Sequence, residues 1–154
     1  MRRLHLVIRY TWALPATIVG LVLSGVALWS GATLRLVDGV MEVAGGRVDR
    51  LASLLPSSGR IVAITFGHVI LGVDHATLRE VRSHERVHVR QYERWGVLFF
   101  PLYLGSSLVQ LLLGRDPYFD NRFERAACLE STNVDPTVVP PPPGTVCARN
   151  RNEA

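Results

Sequence analysis

The sequence predicts an α+β, membrane-associated chain: an N-terminal transmembrane helix, a small β-sheet, then a group of helices. Three observations predict it: an uncharged apolar run over 11–31, paired β-prone runs over 33–74, and helical periodicity from Thr77 onward. A length of 154 residues allows one domain and excludes a large multidomain enzyme. At 48% hydrophobic and 19% charged, with mean hydropathy +0.20, the chain is too apolar for disorder. It is also more apolar than ordinary soluble domains, where about 25% of residues are charged.

The elements follow in order. Residues 1–10 carry Arg2, Arg3 and Arg9 ahead of the uncharged run 11–31, and about 20 apolar residues cross a bilayer core. Trp12 and Trp29 lie near the two ends of that run, where indoles favour the headgroup region. Gly20, Ser24 and Gly25 leave room for close packing. A cleaved signal peptide is the competing reading, because Ser30-Gly31-Ala32 is small enough for a cleavage site, but the apolar run is long for one. Leu34–Val37 and Val40–Ala44 flank Asp38-Gly39, a pair suited to a type I′ hairpin. After Gly45-Gly46 a short helical piece is expected at 47–56. Ile61–Phe66 and His68–Val73 are two further β-prone runs broken at Gly67, giving a sheet of three or four strands.

From Thr77 to Trp95 there is neither Gly nor Pro, and two stripes run along the predicted helix. Arg79, Arg82, Arg86 and Arg90 form one, expected to be solvated or interfacial. Val81, His84, Glu85, His88, Tyr92 and Trp95 form the other, on the inward side. The uncharged segment 97–113 contains Pro101 and Gly105-Ser106-Ser107, so it reads either as a marginal second span or as a buried or re-entrant helix. Asp116–Glu130 reads as a turn and a helix capped by Asp120 or Asn121. Residues 131–154, with Pro140–Pro143, read as an extended, disordered tail.

All 17 basic residues are arginine, the habit of a high-GC bacterial genome, and the net charge is +4. The arginines are dispersed from Arg2 to Arg151, so nucleic acid is not an expected partner and anionic lipid is the better electrostatic match. Three arginines before the apolar run (Arg2, Arg3, Arg9) face three just after it (Arg35, Arg47, Arg50). The positive-inside rule is therefore silent on orientation. The two cysteines, Cys128 and Cys147, allow at most one bridge and exclude both a disulfide scaffold and a four-thiolate zinc site. Cys128 reads as a buried small hydrophobe.

The chemistry-bearing motif is His84-Glu85-Arg86-Val87-His88. On a helix, side chains at i and i+4 share a face, so two imidazoles can reach one zinc ion while the adjacent Glu holds a water. The bland alternative is a pair of core histidines with Glu85 paired to an arginine. Together with Gln91 the motif reads H-E-x-x-H-x-x-Q, and Asn121-Arg122-Phe123-Glu124-Arg125-Ala126-Ala127 reads N-x-x-E-x-x-A. Over about 84–130 the chain resembles the zincin metallopeptidases, specifically the gluzincin branch, in which a Glu from a later helix completes the zinc site. The resemblance implies zincin-like helices within a domain spanning 32–130 and makes Glu124 the third ligand beside His84 and His88. The chain departs from the pattern at Cys128, where an acidic residue often supports a zinc-bound His, so that support must come from Asp116, Asp120 or a backbone carbonyl.

Helix rise makes the third ligand feasible independently. His84 and His88 lie about 13 Å below the end of their helix. A return helix over 97–113 descends about 26 Å, and six residues of a third helix climb about 9 Å, placing Glu124 within about one turn of the histidines. A single straight membrane pass over 97–113 is incompatible with this.

The expected function is that of a membrane-anchored zinc metallopeptidase or metallohydrolase of the bacterial cytoplasmic membrane, with Zn²⁺ as cofactor and a peptide or protein as substrate. Glu85 is the expected general base and the strand run 61–73 the expected site of peptide strand addition; Tyr92 and Tyr118 are candidate oxyanion donors between which the sequence does not select, and neither is assigned to the site. The alternative is a non-catalytic membrane protein whose metal site, if any, is structural, closed for instance by Cys128.

Overall fold

The computed structural model describes residues 2–48 and 62–134. The expected helix at 47–56, from residue 49 on, and the tail from residue 135 lie outside them. Helix α1 spans Arg2–Trp29, followed by strands β1 (Ala32–Val37), β2 (Val40–Gly45), β3 (Ala63–Phe66) and β4 (Val69–Gly72). Helix α2 spans His75–Trp95, a short 3-10 turn covers Gly96–Leu98, and helices α3 (Phe99–Leu112) and α4 (Arg122–Val134) complete the order. This is an α+β architecture. Two stretches, Arg9–Trp29 and His75–Leu112, are long and apolar enough to cross a membrane.

The four strands form one sheet in the order β1-β2-β4-β3. The β1–β2 hairpin turns through Asp38 and Gly39, both at positive φ (45° and 79°) as a type I′ turn requires. β4 pairs in parallel with β2 and antiparallel with β3, leaving β1 and β3 as the edges. The strand alternation divides the core in two. Val43, Val69 and Leu71 pack with Ala27 of α1 on one face, and Ala44 and Ile70 pack with Leu78, Val81 and Val89 of α2 on the other. The sheet is thus sandwiched between α1 and α2.

Close contacts fix α1 to its face of the sheet. A side chain on Gly20 would strike Val69 Cβ at 2.7 Å, and one on Gly67 would strike the Thr17 backbone nitrogen at 2.7 Å. Gly67 also needs its positive φ (59°), which a β-carbon disfavours. The His68 amide donates to Thr17 Oγ1 (3.2 Å), and the buried His68 ring stacks on Tyr10 at 4.0 Å while facing Glu93 of α2 at 3.3 Å.

α2 begins two residues earlier than the sequence suggests because Asp74 caps it, accepting from the Thr77 amide at 2.8 Å. Its arginine stripe is only partly a solvated face. Arg82 makes two bonds to the buried Glu42 of β2 (2.7 and 2.9 Å), Arg86 donates to the Val37 carbonyl (2.6 Å), and Arg90 pairs with Glu130 (3.0 Å). The β1–β2 hairpin and α4 cover that side of the helix, so most of its charges find partners. Arg79 and Arg90 remain exposed.

The segment 97–113 folds back instead of running straight on. Gly105, Ser106 and Ser107 lie within α3, where Ser106 Oγ accepts from the Arg122 amide (3.1 Å) and Ser107 Oγ from Asn121 Nδ2 (2.7 Å). α3 therefore returns beside α4. That last helix extends to Val134, past the expected end at Glu130.

Candidate metal centre

His84 and His88 project from one side of α2, one turn apart, and α4 brings Glu124 against them. The placement of Glu124 follows from its cap. Asn121 Oδ1 accepts from the Phe123 amide (2.8 Å), and Asn121 Nδ2 donates to the Tyr103 carbonyl (3.1 Å), pinning the start of α4 to α3. Glu124 sits in the first turn, where a carboxylate interacts favourably with the helix dipole. In a capping box a Glu at this position turns back to the cap amide; here the Asn121 amide donates to the Tyr118 carbonyl instead (3.1 Å), and Glu124 turns to the histidines.

The three residues form a compact triangle in which each histidine faces a different carboxylate oxygen: His84 Nε2 to His88 Nε2 is 3.2 Å, His84 Nε2 to Glu124 Oε2 is 3.1 Å, and His88 Nε2 to Glu124 Oε1 is 3.4 Å. An ion held tetrahedrally at 2.0–2.1 Å spaces its donors about 3.3 Å apart. The His84–His88 edge and each histidine's carboxylate contact fall near that spacing, and one ligand atom from each residue lies within 4.8 Å of the others, so this group could hold a metal ion. Two Nε2 atoms at 3.2 Å also need a proton or a cation between them, since facing lone pairs repel.

Burial raises the Glu124 pKa, but the charge of His88 and the hydrogen bonds from His84 and His88 outweigh it and hold the carboxyl well below the usual carboxylate range. Glu124 is therefore ionised at neutral pH. Tyr103 donates to its Oε1 at 2.7 Å, orienting the carboxylate.

Support for His88 comes from Gln91. The Gln91 amide nitrogen donates to the Phe123 carbonyl (3.1 Å), which can only accept, so its Oε1 must be the atom 2.9 Å from His88 Nδ1. His88 then donates through Nδ1 and keeps the Nε2 lone pair for a metal. Asp116 and Asp120, two of the expected supports, make hydrogen bonds within the turn before α4. Asp116 Oδ1 accepts from the Tyr118 and Phe119 amides, and Asp120 Oδ2 accepts from the Asp116 amide. Replacing Gln91 with Ala is expected to weaken metal affinity about 10- to 100-fold, the usual cost of losing such a partner, as read by competition with a fluorescent zinc chelator.

Glu85 is buried, and its Oε2 accepts from Thr65 Oγ1 of β3 at 2.7 Å. It does not join the triangle. Burial first, with the charges of Glu124 and Glu85 behind it, pushes the Tyr118 phenol well above its ordinary value, which keeps that hydroxyl protonated. Tyr92 lies buried against Ala13 and Phe99. Cys128 is buried as expected, but it is disulfide-bonded, so its sulfur is no thiolate and cannot close a metal site. Its Sγ faces His84 Nδ1 at 3.9 Å, on the far side of that ring from the donor triangle.

Sequence reasoning missed Tyr103 and Thr65. The signal for Tyr103 was present: Tyr103, Ser106, Ser107 and Gln110 recur at spacings of three and four through an otherwise apolar segment, marking an inward polar stripe. Thr65 carries no comparable mark, since threonine is an ordinary strand residue.

No family model, curated protein or solved structure matches the chain.

Proposed function

We propose that this chain is a membrane-associated, zinc-dependent metallopeptidase of gluzincin type in the bacterial cytoplasmic membrane, with His84, His88 and Glu124 as zinc ligands and Glu85 as general base. The support is one observation above the others: one ligand atom each from His84, His88 and Glu124, on two helices, converge within 4.8 Å of one another, with the buried carboxylate of Glu85 outside that group. Two imidazoles and a carboxylate suit zinc and leave one position for catalysis. When bound, zinc supplies Lewis acidity, acidifying water and polarising a carbonyl.

The chain's own residues do the rest. Thr65 holds the Glu85 carboxylate in one orientation, so that it takes a proton from the attacking water and delivers it to the leaving amine. Tyr103 and Gln91 fix Glu124 and His88 before substrate arrives. The protonated Tyr118 phenol is the candidate donor to the developing oxyanion. β3 lies at the sheet edge and carries Thr65, so an extended peptide adding to that edge passes beside Glu85. The alternative of a closed structural site loses its candidate ligand in the disulfide-bonded Cys128.

The test is digestion of a peptide library by purified, zinc-loaded protein, with cleavage sites mapped by mass spectrometry. Cleavage is expected, stopped by 1,10-phenanthroline and restored by zinc. Folded, zinc-loaded protein that cuts nothing in the library, or cutting that survives chelation, overturns the proposal.

A further inference from the structure

The inward faces of α1 and α3 carry small or polar residues, Ala13, Gly20, Ser24 and Ala27 on α1 and Tyr103 and Ser107 on α3, beside the apolar Leu23 and Phe99. Their outward faces are apolar, with Ile18, Val22 and Val26 exposed on α1 and Leu104, Leu108 and Leu111 on α3. The two outer faces meet where the Trp12 ring packs on Gly96.

Water is a poor solvent for such faces, and the residues bordering them indicate what covers them. The nearest charged residues flanking the uncharged stretches are Arg9 and Arg35 around 11–31, and Arg94 and Arg115 around 97–113. All four are exposed cations, complementary to anionic headgroups. The chain's three tryptophans, Trp12, Trp29 and Trp95, sit at these same ends and are exposed, as residues of the membrane interface are.

A straight crossing by α1 conflicts with its docking. From Tyr10, which stacks on His68, to Ala27, in the core with Val43 and Leu71, one side of the helix lies against the sheet or the turn between β3 and β4. That is about 26 Å of helix at 1.5 Å per residue, against a hydrocarbon core about 30 Å thick. Spanning would draw the sheet into hydrocarbon, with β1, an edge strand among the described residues, and the charged Arg35 and Glu42. Lipid does not satisfy such an edge.

We propose that α1 and α3 seat the protein in one leaflet, lying in the interface with their outer faces in lipid, in place of the transmembrane helix that the sequence alone suggests. The proposal rests on the membrane association in the function proposed above and not on hydrolysis. It places both ends of the folded domain and the metal centre on one side of the membrane. Because the inward face of α3 holds Glu124 through Tyr103, the site stands one helix away from lipid.

The test uses the full chain reconstituted into phosphatidylcholine/phosphatidylglycerol vesicles, with a nitroxide on Val22→Cys, in the middle of the outer face of α1. The expected result is vesicle flotation that survives high salt, a label about 5–10 Å below the phosphates, and reporter fusions at the two ends of the chain that lie on the same side in cells. A label near the bilayer midplane, about 15 Å deep, with the ends on opposite sides, overturns the proposal in favour of a span. Failure to float, with a concentration-dependent dimer in detergent-free buffer, overturns it in favour of a second copy as the covering partner. Zinc content is measured on the same samples, so loss of the seat is separable from loss of the site.

Discussion

After dialysis against metal-free buffer, the wild-type protein is expected to retain about one zinc ion per chain, and Glu124→Ala and His84→Ala are each expected to lose it to background. The two variants test different things. His84 belongs to a motif local to α2, so its loss alone would fit a histidine pair binding metal weakly without any third partner. Glu124 reaches the same point from α4, 40 residues on, at 3.1 Å from His84 Nε2. If it is a ligand, removing it leaves two imidazoles, too few for tight retention. If it only balances the charge of the histidines, the zinc stays. Elemental analysis decides, with circular dichroism to show that the helices persist. Zinc retained by Glu124→Ala removes Glu124 from the ligand set, and wild type devoid of zinc removes the centre altogether. Lower pH is expected to release the metal, because His84 and His88 must be neutral to bind it.

Much of this arrangement is legible in the sequence. The Asp38-Gly39 pair fixed a hairpin because few residues tolerate positive φ at both turn positions, and the spacing of His84 and His88 on a Gly- and Pro-free run fixed their shared face. Rise per residue was enough to show that Glu124 meets them only if 97–113 folds back, and the hydrogen bonds from Asn121 and Arg122 to α3 are that fold-back. What could not be read was partnership across the chain. Arg82 and Arg86 look like solvent-facing charges from spacing alone, yet Glu42 and the Val37 carbonyl are waiting for them on the β1–β2 hairpin. Support for the metal ligands was sought among acids, whereas the observed partners of His88 and Glu124 are the neutral Gln91 and Tyr103. The polar stripe of α3 and the spacing of Gln91 from His88 mark both residues as inward-facing, but only packing shows which ligand each one meets.

Glu85→Gln is expected to keep its zinc and to lose turnover by about 10²- to 10⁴-fold, the usual contribution of a positioned general base. The separation is what makes the variant informative. Gln matches Glu in shape, and its side-chain oxygen can still accept from Thr65 Oγ1, as the Glu85 carboxylate does at 2.7 Å. The fold and the donor triangle should therefore be undisturbed, while the amide cannot take a proton from water. Thr65→Val supplies the second arm: it leaves the carboxylate present but without its orienting donor, so an intermediate loss of kcat is expected with zinc again retained. Both are measured as kcat on a peptide found in the library digestion, alongside metal content. Loss of zinc in Glu85→Gln would place Glu85 in the coordination shell and change the site's chemistry. Undiminished cleavage with zinc retained would leave Glu85 as a buried partner of Thr65 and no more, and the proton would have to move through another group. Loss of turnover with zinc retained, against loss of both in Glu124→Ala, assigns the proton transfer to Glu85 and the metal to His84, His88 and Glu124.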